Sequence, residues 1–330
     1  MVTIPTEKLQ IMIEDYVMDL KKRINPNSIP SYVHPLKLFL ECNDIDLNWR
    51  KIKRLFPQPV KPTGDSAYST EDIKKMLDCT PNLRNRALIH FLASTGCRIG
   101  ALPAMKLKHL LEMPNDCKLV QVYEDSIEEY YTFLTPEASK ILDECIEQRK
   151  KDNEFLNSES PVFRTKYSLG IAKAKSMTKK AMQAVIDRAV RNAGLRHFSE
   201  KKNGRYLIQL DHGFRKRFNT ILKTNNDVNS NIAEKLMGHR RGLDGLYFKP
   251  TKEQCFEEFR KAIPELSISE SVRLQYKNQH QQEELLKYEV GAKNEIESLK
   301  KEMHEQKIAT LRLIREAIKN PHGFQAELDY

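Results

Sequence analysis

The sequence has no apolar run that could cross a membrane. Its longest runs, such as residues 87–94, are far shorter than the roughly 20 residues that span a bilayer. The first residues carry acidic side chains early and lack the basic start and cleavage site of a secretory signal. We therefore expect no membrane association and no export.

Cysteine pairs are also missing. The chain has six cysteines, none of them in a C-x-x-C pair, at positions 42, 79, 97, 117, 145 and 255. This spacing is typical of reduced core thiols and argues against a zinc site or a disulfide framework.

Acidic residues are scarce in one segment of a chain whose net charge is +10. From Arg164 to Arg217 there are fifteen lysines and arginines against three acids, a local charge of +12, so the remaining residues carry about −2. Such a segment repels itself unless a polyanion lies against it, and a nucleic acid is the commonest one. The pattern favours DNA or RNA binding, with a solvated charge run as the alternative.

Residues 5–56 carry apolar side chains at helical spacing. They form three runs: Leu9, Met12, Ile13, Tyr16, Val17 and Leu20; Tyr32, Leu36, Phe39 and Leu40; and Trp49, Ile52 and Leu55. Prolines 57, 59 and 62 and Gly64 cannot continue a helix. The sequence thus predicts a small helical domain over residues 1–58 and a linker over 59–68.

The next segment, residues 69–265, predicts a mainly α domain with a small antiparallel β-sheet. Ser69 and Asp72 have the spacing of a helix N-cap. Helices are expected near 83–94 and 182–193, and residues 118–135 read as a strand pair around a polar turn.

A long C-terminal helix is expected over the final segment, residues 266–330, which is free of proline from Leu274 to Pro321. Apolar residues fall at coiled-coil spacing, interrupted by Glu289. They are Leu285, Ala292, Ile296, Leu299 and Met303. A coiled coil or a partner-docking helix is one interpretation, and a solvated single helix is the other.

Three basic motifs contain candidate phosphate ligands. Arg98 lies in STGCRIGAL between two glycines that would let a phosphate approach the backbone. His212 and Arg215, in DHGFRKRF, share one face of a predicted helix. His239 precedes Tyr247 in LMGHRRGLDGLYFKPT. Alone, each motif also fits an ordinary structural role: a surface cap, a hydrogen-bonded histidine or a turn.

Together these residue types suit phosphoryl transfer. Two arginine forks match the oxygens of a pentavalent phosphate, and two histidines can move protons or bind the same oxygens. A tyrosine, whose free pKa is about 10, needs such a cationic field to attack. The resulting phosphotyrosyl bond stores the energy of the broken link, so neither ATP nor a metal is required.

The three motifs resemble those of the tyrosine recombinases, the lambda-integrase-like family, and most closely the archaeal integrases, over roughly residues 70–260. The resemblance implies that Arg98 and Arg215 clamp the scissile phosphate and that His212 is the base or proton partner. It also implies that His239 binds a non-bridging oxygen and that Tyr247 is the nucleophile.

Two departures from the family pattern stand out. The family usually places a lysine in the turn of the strand pair, as the general acid, where this chain has Asp125–Glu128. Lys118 is a possible substitute for this lysine. The alternative interpretation is that Lys118 is a solvated charge at the end of a strand. The second departure is that Tyr247 follows His239 by eight residues rather than the commoner nine, but Phe248 at the ninth position cannot attack. Poorer candidate nucleophiles are Tyr206, Tyr276 and Tyr330.

The resemblance implies a cytoplasmic, nucleoid-associated, site-specific recombinase that forms a C-shaped clamp on double-stranded DNA and a homotetramer on two duplexes. It needs no cofactor, metal or small-molecule substrate. We predict DNA-backbone contacts at Lys173, Lys175, Lys179, Lys180 and Arg217. The alternatives are a catalytically impaired DNA-binding protein and a type IB topoisomerase. A metal-dependent nuclease is disfavoured because the basic segment offers only three acids.

Overall fold

The structure is a computed structural model that describes residues 4–60, 66–166, 174–196, 206–239 and 247–319. Its N-terminal helices are α1 (Thr6–Arg23), α2 (Ile29–Glu41) and α3 (Trp49–Arg54). They bury a hydrophobic cluster of their own, made of Ile13, Val17, Leu20, Ile29, Val33, Leu40, Leu47 and Ile52. The expected helical grouping of this region is therefore present.

The buried face of these helices differs in part from the predicted stripes. Met12, Tyr32 and Phe39 are about half exposed or more. The reason is visible in α2, where Ile29, Val33 and Leu40 follow one face of the helix and face the cluster. A helix presents only one stripe to its partners, so apolar residues outside that stripe stay in solvent.

The larger part of the molecule follows from residue 66. Its helices are α4 (Thr70–Asp78), α5 (Leu83–Thr95), α6 (Pro136–Lys151), α7 (Lys179–Asn192), α8 (His212–Thr224), α9 (Ser230–Leu236), α10 (Lys252–Leu266) and α11 (Glu270–Lys319). Ser69 and Asp72 form the reciprocal cap at the start of α4, as predicted. Tyr68, which falls in the predicted linker, is instead buried and donates through its hydroxyl to the Leu210 carbonyl.

A three-stranded antiparallel sheet lies among these helices, in the order β1 (Leu110–Met113), β2 (Cys117–Val122) and β3 (Tyr130–Leu134). The mainly α fold with a small antiparallel sheet is confirmed. The sequence reading missed β1, a four-residue edge strand paired to β2. The signal for it was the Asn115 and Asp116 turn, where both residues adopt positive φ.

Side chains alternate along each strand, and those of β2 and β3 are mostly buried on both faces of the sheet. Val120 and Val122 face the cluster that includes Phe91 and Phe163. Leu119 and Phe133 face the opposite cluster, which also contains residues of α8, α9 and α10. The sheet is thus held between two helical layers, which fixes the position of the turn between β2 and β3.

The start of α11 is tied to the rest of the fold. Tyr276 is buried, and the Glu137 carboxylate accepts the backbone N–H groups of Ile268 and Ser269 just before the helix. All six cysteines are free thiols. Within the described ranges, no helix has the length and apolar character needed to cross a membrane.

Candidate active site

Arg215 is the buried centre of the candidate site. It lies on the first turns of α8 with 8% of its surface exposed. Its Nη1 donates to the Gly96 carbonyl at 2.8 Å, and its Nη2 donates to the Met237 carbonyl at 2.5 Å. The guanidinium thereby joins the end of α5 to the end of α9, regions more than 100 residues apart in the chain.

His239 completes this arrangement. Arg215 Nη2 lies 2.9 Å from His239 Nε2, and His239 Nδ1 lies 2.6 Å from a carboxylate oxygen of Glu234. An arginine can only donate, so Nε2 must accept and Nδ1 must carry the proton. Glu234 therefore fixes both the tautomer and the ring orientation of His239.

Glu234 is kept ionised by its surroundings. Partial burial works against the charge, but hydrogen bonds from Lys223 and His239 outweigh it, and the pKa of Glu234 is lowered from its usual value. An ionised carboxylate accepts strongly from Nδ1–H. The sequence reading missed this residue, although its position five before His239, on the preceding helix, was a usable signal.

Gly96 places Arg98 close to this centre along the chain. Gly96 ends α5 in the left-handed region with φ of 56°, and an added Cβ would lie 2.6 Å from the ring of Phe218. Only glycine fits such a turn without strain. Arg98 follows two residues later, is exposed, and has Nη1 3.9 Å from a carboxylate oxygen of Glu128 in the β2–β3 turn.

His212 is exposed at the first residue of α8. It precedes Arg215 by three residues and so shares its helix face. Gly213 between them has no room for a side chain, since a Cβ would lie 2.5 Å from the Tyr68 ring. This close packing fixes the N-terminus of α8 against residues 66–68.

A cavity of about 330 Å³ opens beside His239. Its lining includes Gly238, the two lysines Lys235 and Lys249, and Phe248. Tyr247, next to Phe248 in the chain, is 81% exposed. The structure thus brings Arg215 and His239 into contact and leaves the Tyr247 side chain in solvent.

Other tyrosines are placed less favourably. Tyr276 is buried, and burial raises its pKa. Tyr206 is stacked under the Arg196 guanidinium at 4.0 Å. Tyr330 lies outside the described residues. Tyr130 packs against Gly238, and burial raises its pKa well above the usual value.

Lys118 is not placed as a substitute for the turn lysine. It sits on β2 opposite Leu134, at the end of the strand far from the β2–β3 turn. Its ammonium bonds Glu112 at 2.5 Å and Asp143 at 3.1 Å, and its side chain is 8% exposed. These contacts argue against Lys118 as the substitute, since they hold it in ion pairs at the end of β2 away from the turn.

The predicted DNA-contact residues differ in how far their side chains are exposed. Lys175, Lys179 and Lys180 are exposed, beside and at the start of α7. Lys173 lies outside the described residues. Arg217 is only 3% exposed and donates to the Thr70 hydroxyl and to the carbonyls of Glu265 and Leu266. This burial argues against the predicted DNA contact at Arg217, because the periodicity of α8 turns the residue inward.

Comparison with known proteins gives one family match and several similar solved structures. The model described as the phage integrase family matches residues 68–242, more than half of the chain. No curated protein sequence matches significantly.

Among solved structures, the XerH site-specific recombinase bound to difH substrate in a pre-cleavage complex is 17% identical, with a TM-score of 0.50 over 70% of this chain and 64% of that one. A post-cleavage complex of the same recombinase with palindromic difH substrate is also 17% identical, with a TM-score of 0.50 over 70% of this chain and 66% of that one. The chain thus spans slightly less than two thirds of the length of these proteins. A lambda integrase dimer bound to a COC′ core site gives 15% identity and a TM-score of 0.45 over 76% and 82% of the two chains. At these identities the likeness to XerH concerns the fold alone.

Proposed function

Because this chain belongs to the phage integrase family, we propose that it is a site-specific recombinase that cuts and rejoins double-stranded DNA through a 3′-phosphotyrosyl intermediate. The observation that carries the proposal is the buried contact of Arg215 with His239, beside the Gly96 turn that leads to Arg98. Arg215 and His239 come from two motifs that are distant in the chain, and Arg98 follows the Gly96 turn by two residues. Arginine and histidine are residue types suited to a phosphate.

In the proposed reaction, Arg98 and Arg215 bind the non-bridging oxygens of the scissile phosphate. His239 donates to the same phosphate when Nε2 also carries a proton, with Glu234 holding the ring through Nδ1–H. The Tyr247 oxygen attacks phosphorus while the phenol proton passes to His212. The bond from phosphorus to the 5′ oxygen breaks, and the 3′ phosphate stays on Tyr247. Reversal of the step by a 5′ hydroxyl reseals a strand.

The leaving 5′ oxygen must gain a proton, and the β2–β3 turn has no lysine to supply it. Lys235 and Lys249 line the cavity beside His239, whereas Lys118 lies at the end of β2 away from the β2–β3 turn. We propose that Lys235 or Lys249 is the general acid.

We further propose that residues 1–58 form a core-binding domain, 59–68 a linker, 69–265 the catalytic domain and 266–330 a C-terminal extension, with assembly as a homotetramer on two duplexes. Tyr68, the last residue of the proposed linker, bonds to Leu210 and therefore packs with the proposed catalytic domain. Exposed Lys175, Lys179 and Lys180 are suited to backbone phosphates. The closer resemblance to archaeal integrases and the nucleoid location stay predictions.

Covalent trapping on a nicked suicide substrate tests the proposal. We expect an adduct whose tryptic peptide carries the nucleotide on Tyr247, and which Tyr247→Phe abolishes. Tyr288→Phe is the matched control, since Tyr288 is 77% exposed on α11, remote in sequence from the site motifs. An adduct on another tyrosine, or activity that EDTA removes completely, would contradict the mechanism.

One observation favours a second candidate, a DNA-binding protein of the same fold with impaired catalysis. Glu128 occupies the turn where the family usually has a lysine and lies near Arg98, so it offsets part of the charge meant for phosphate. In that case DNA binds and no adduct forms in the wild type. Relaxation of supercoiled DNA without recombinant products would instead indicate a type IB topoisomerase.

A further inference from the structure

The long helix α11 leaves the body of the protein with an uncovered apolar stripe. From Leu285 onward its described side chains are exposed, apart from the half-buried Ala292. The stripe consists of Leu285, Tyr288, Ala292, Ile296, Leu299, Met303, Ile314 and Ile318. At 1.5 Å per residue, the stripe extends over roughly 50 Å of the helix. An exposed apolar surface of this length marks an interaction surface.

The spacing of the stripe differs from a simple heptad. Leu285, Ile296 and Ile318 are separated by multiples of eleven residues, and so are Ala292, Met303 and Ile314. An 11-residue repeat corresponds to about 3.67 residues per turn, close to the 3.6 of a straight helix. The stripe therefore runs nearly parallel to the helix axis, and two such helices can pair along it with little supercoiling.

Two charges interrupt the stripe, and they are opposite in sign. Glu289 and Lys307 are 18 residues apart, which is five turns, so they lie on the same face. Each is nine residues from Ser298, one toward each end of the helix. In a parallel, in-register pair each charge would face its own copy. In an antiparallel pair centred near Ser298, each glutamate faces a lysine.

The flanking charges follow the same symmetry. Residues 281–305 contain seven glutamates and four lysines, a net charge of −3. Residues 306–319 contain four basic residues and one glutamate, a net charge of +3. In an antiparallel pair about this centre, residues 281–289 of one helix, with a net charge of −2, lie beside residues 306–314 of the other, with a net charge of +2. Parallel pairing would instead oppose like charges.

The apolar residues also match in this arrangement. With the symmetry point between residues 297 and 298, Ile296 meets the partner's Leu299, and Ala292 meets the partner's Met303. The first is a contact between branched aliphatic side chains, and the second sets a small residue against a long flexible one. Each contact occurs twice by symmetry, which is how knobs fill holes between helices.

We propose that α11 is a self-association element that pairs two copies of this chain in antiparallel orientation about Ser298. The pairing is independent of the proposed recombinase activity, since no residue of the candidate active site lies on α11. At 1.5 Å per residue it holds the points where the two helices leave their protein bodies, near Leu286, roughly 35 Å apart.

Light scattering of the full chain without DNA tests the pairing. We expect a mass of twice 38.5 kDa for the wild type. Glu289→Lys and Lys307→Glu should each weaken the dimer about tenfold or more. The double variant, and an equal mixture of the two single variants, should restore it. Glu305→Lys, on the opposite side of α11, makes the same change of charge and should leave the mass unchanged.

Circular dichroism of each variant shows whether α11 remains helical, so a folding defect is distinguished from lost pairing. A monomeric wild type at the highest soluble concentration would overturn the proposal. So would single variants that dimerise as the wild type does, or a lack of rescue in the double variant. The proposal would also be overturned if the stripe were covered only by a different protein and not by a second copy of this chain.

Cross-linking tests the orientation. In a Cys42→Ser, Cys79→Ser background, which removes the exposed thiols, Ala292→Cys together with Met303→Cys should give a covalent dimer on mild oxidation. Ala292→Cys alone should not, because two copies of this position lie roughly 16 Å apart along an antiparallel pair and a disulfide needs less than about 7 Å between Cα atoms. A covalent dimer from Ala292→Cys alone would establish parallel pairing.

Discussion

Arg215 donates to His239 Nε2 across 2.9 Å, while the other ring nitrogen of His239 is bound to Glu234. The buried arginine and the partly exposed histidine are thus positioned by one chain of hydrogen bonds that ends at an ionised carboxylate. A phosphate entering the site would meet donors whose orientation is set before it binds, and such preorganisation is the main source of electrostatic catalysis.

Replacing Glu234 by glutamine should slow cleavage without unfolding the protein. Glutamine keeps the shape and an acceptor oxygen but loses the charge that orders Nδ1–H, so we expect the rate of covalent adduct formation to fall about tenfold or more. Single-turnover trapping on a suicide substrate measures this rate. Glu257→Gln, an exposed ion-pair residue on α10, is the control. An unchanged rate in Glu234→Gln would show that the carboxylate does not position His239.

Glu234 also predicts a pH dependence of stability. Its folded pKa is lowered from 4.5, so at low pH the unfolded chain binds the proton more readily. The stabilisation is complete above about pH 4.5 and is lost as the pH falls through the folded pKa. Urea unfolding of wild type and Glu234→Gln should therefore differ near neutral pH and converge in acid. A constant difference across this range would contradict the assignment.

Arg217→Ala should affect stability and leave DNA affinity nearly unchanged. The buried guanidinium binds two backbone carbonyls and a hydroxyl, and burial lowers its pKa to about 10. Its loss leaves these acceptors unpaired, so we expect the free energy of unfolding to fall by about 2–4 kcal/mol. The salt dependence of DNA binding, in protein that is still folded, should match the wild type.

Lys179→Ala is the matched substitution for this test. It removes an exposed cation at the start of α7, so the slope of log affinity against log salt should become shallower by about one. If Arg217→Ala changes the slope as much as Lys179→Ala does, the buried position of Arg217 does not persist on DNA.

Lysine substitutions should identify the general acid. Lys118→Met should leave the cleavage rate within about twofold of the wild type, whereas Lys235→Met or Lys249→Met should reduce it by about 100-fold or more. A substrate with a 5′-phosphorothiolate leaving group needs no acid and should rescue the impaired variant. A defect in Lys118→Met that this substrate rescues would return the role to Lys118.

Gly96→Ala should destabilise the protein and weaken the site together. Alanine would have to adopt the left-handed φ of 56°, and its Cβ would lie 2.6 Å from Phe218. Such strain costs about 1–3 kcal/mol, and the shifted carbonyl would no longer accept from Arg215. Thermal unfolding measures the first effect and adduct formation the second. Gly291→Ala, on the exposed part of α11 with no atom within reach of a Cβ, is the control.

The amino-acid sequence by itself determined the local structure and the chemistry that was available. The Ser69 cap, the helix of residues 83–94 and the β2–β3 pair follow from side-chain preferences acting over a few residues, and the structure has all three. The three basic motifs predicted which residue types would meet, because phosphate chemistry requires those types whatever the fold.

Only the tertiary structure decided which cationic side chains remain available to bind a phosphate. Arg215 and Arg217 are two residues apart on α8, yet Arg215 reaches His239 and Arg217 reaches the carbonyls of the last two residues of α10. Lys118, on a strand with both faces covered, is committed to Glu112 and Asp143. Partners so distant in the chain cannot be read from local spacing, because burial and pairing depend on how helices and sheet pack rather than on sequence neighbours.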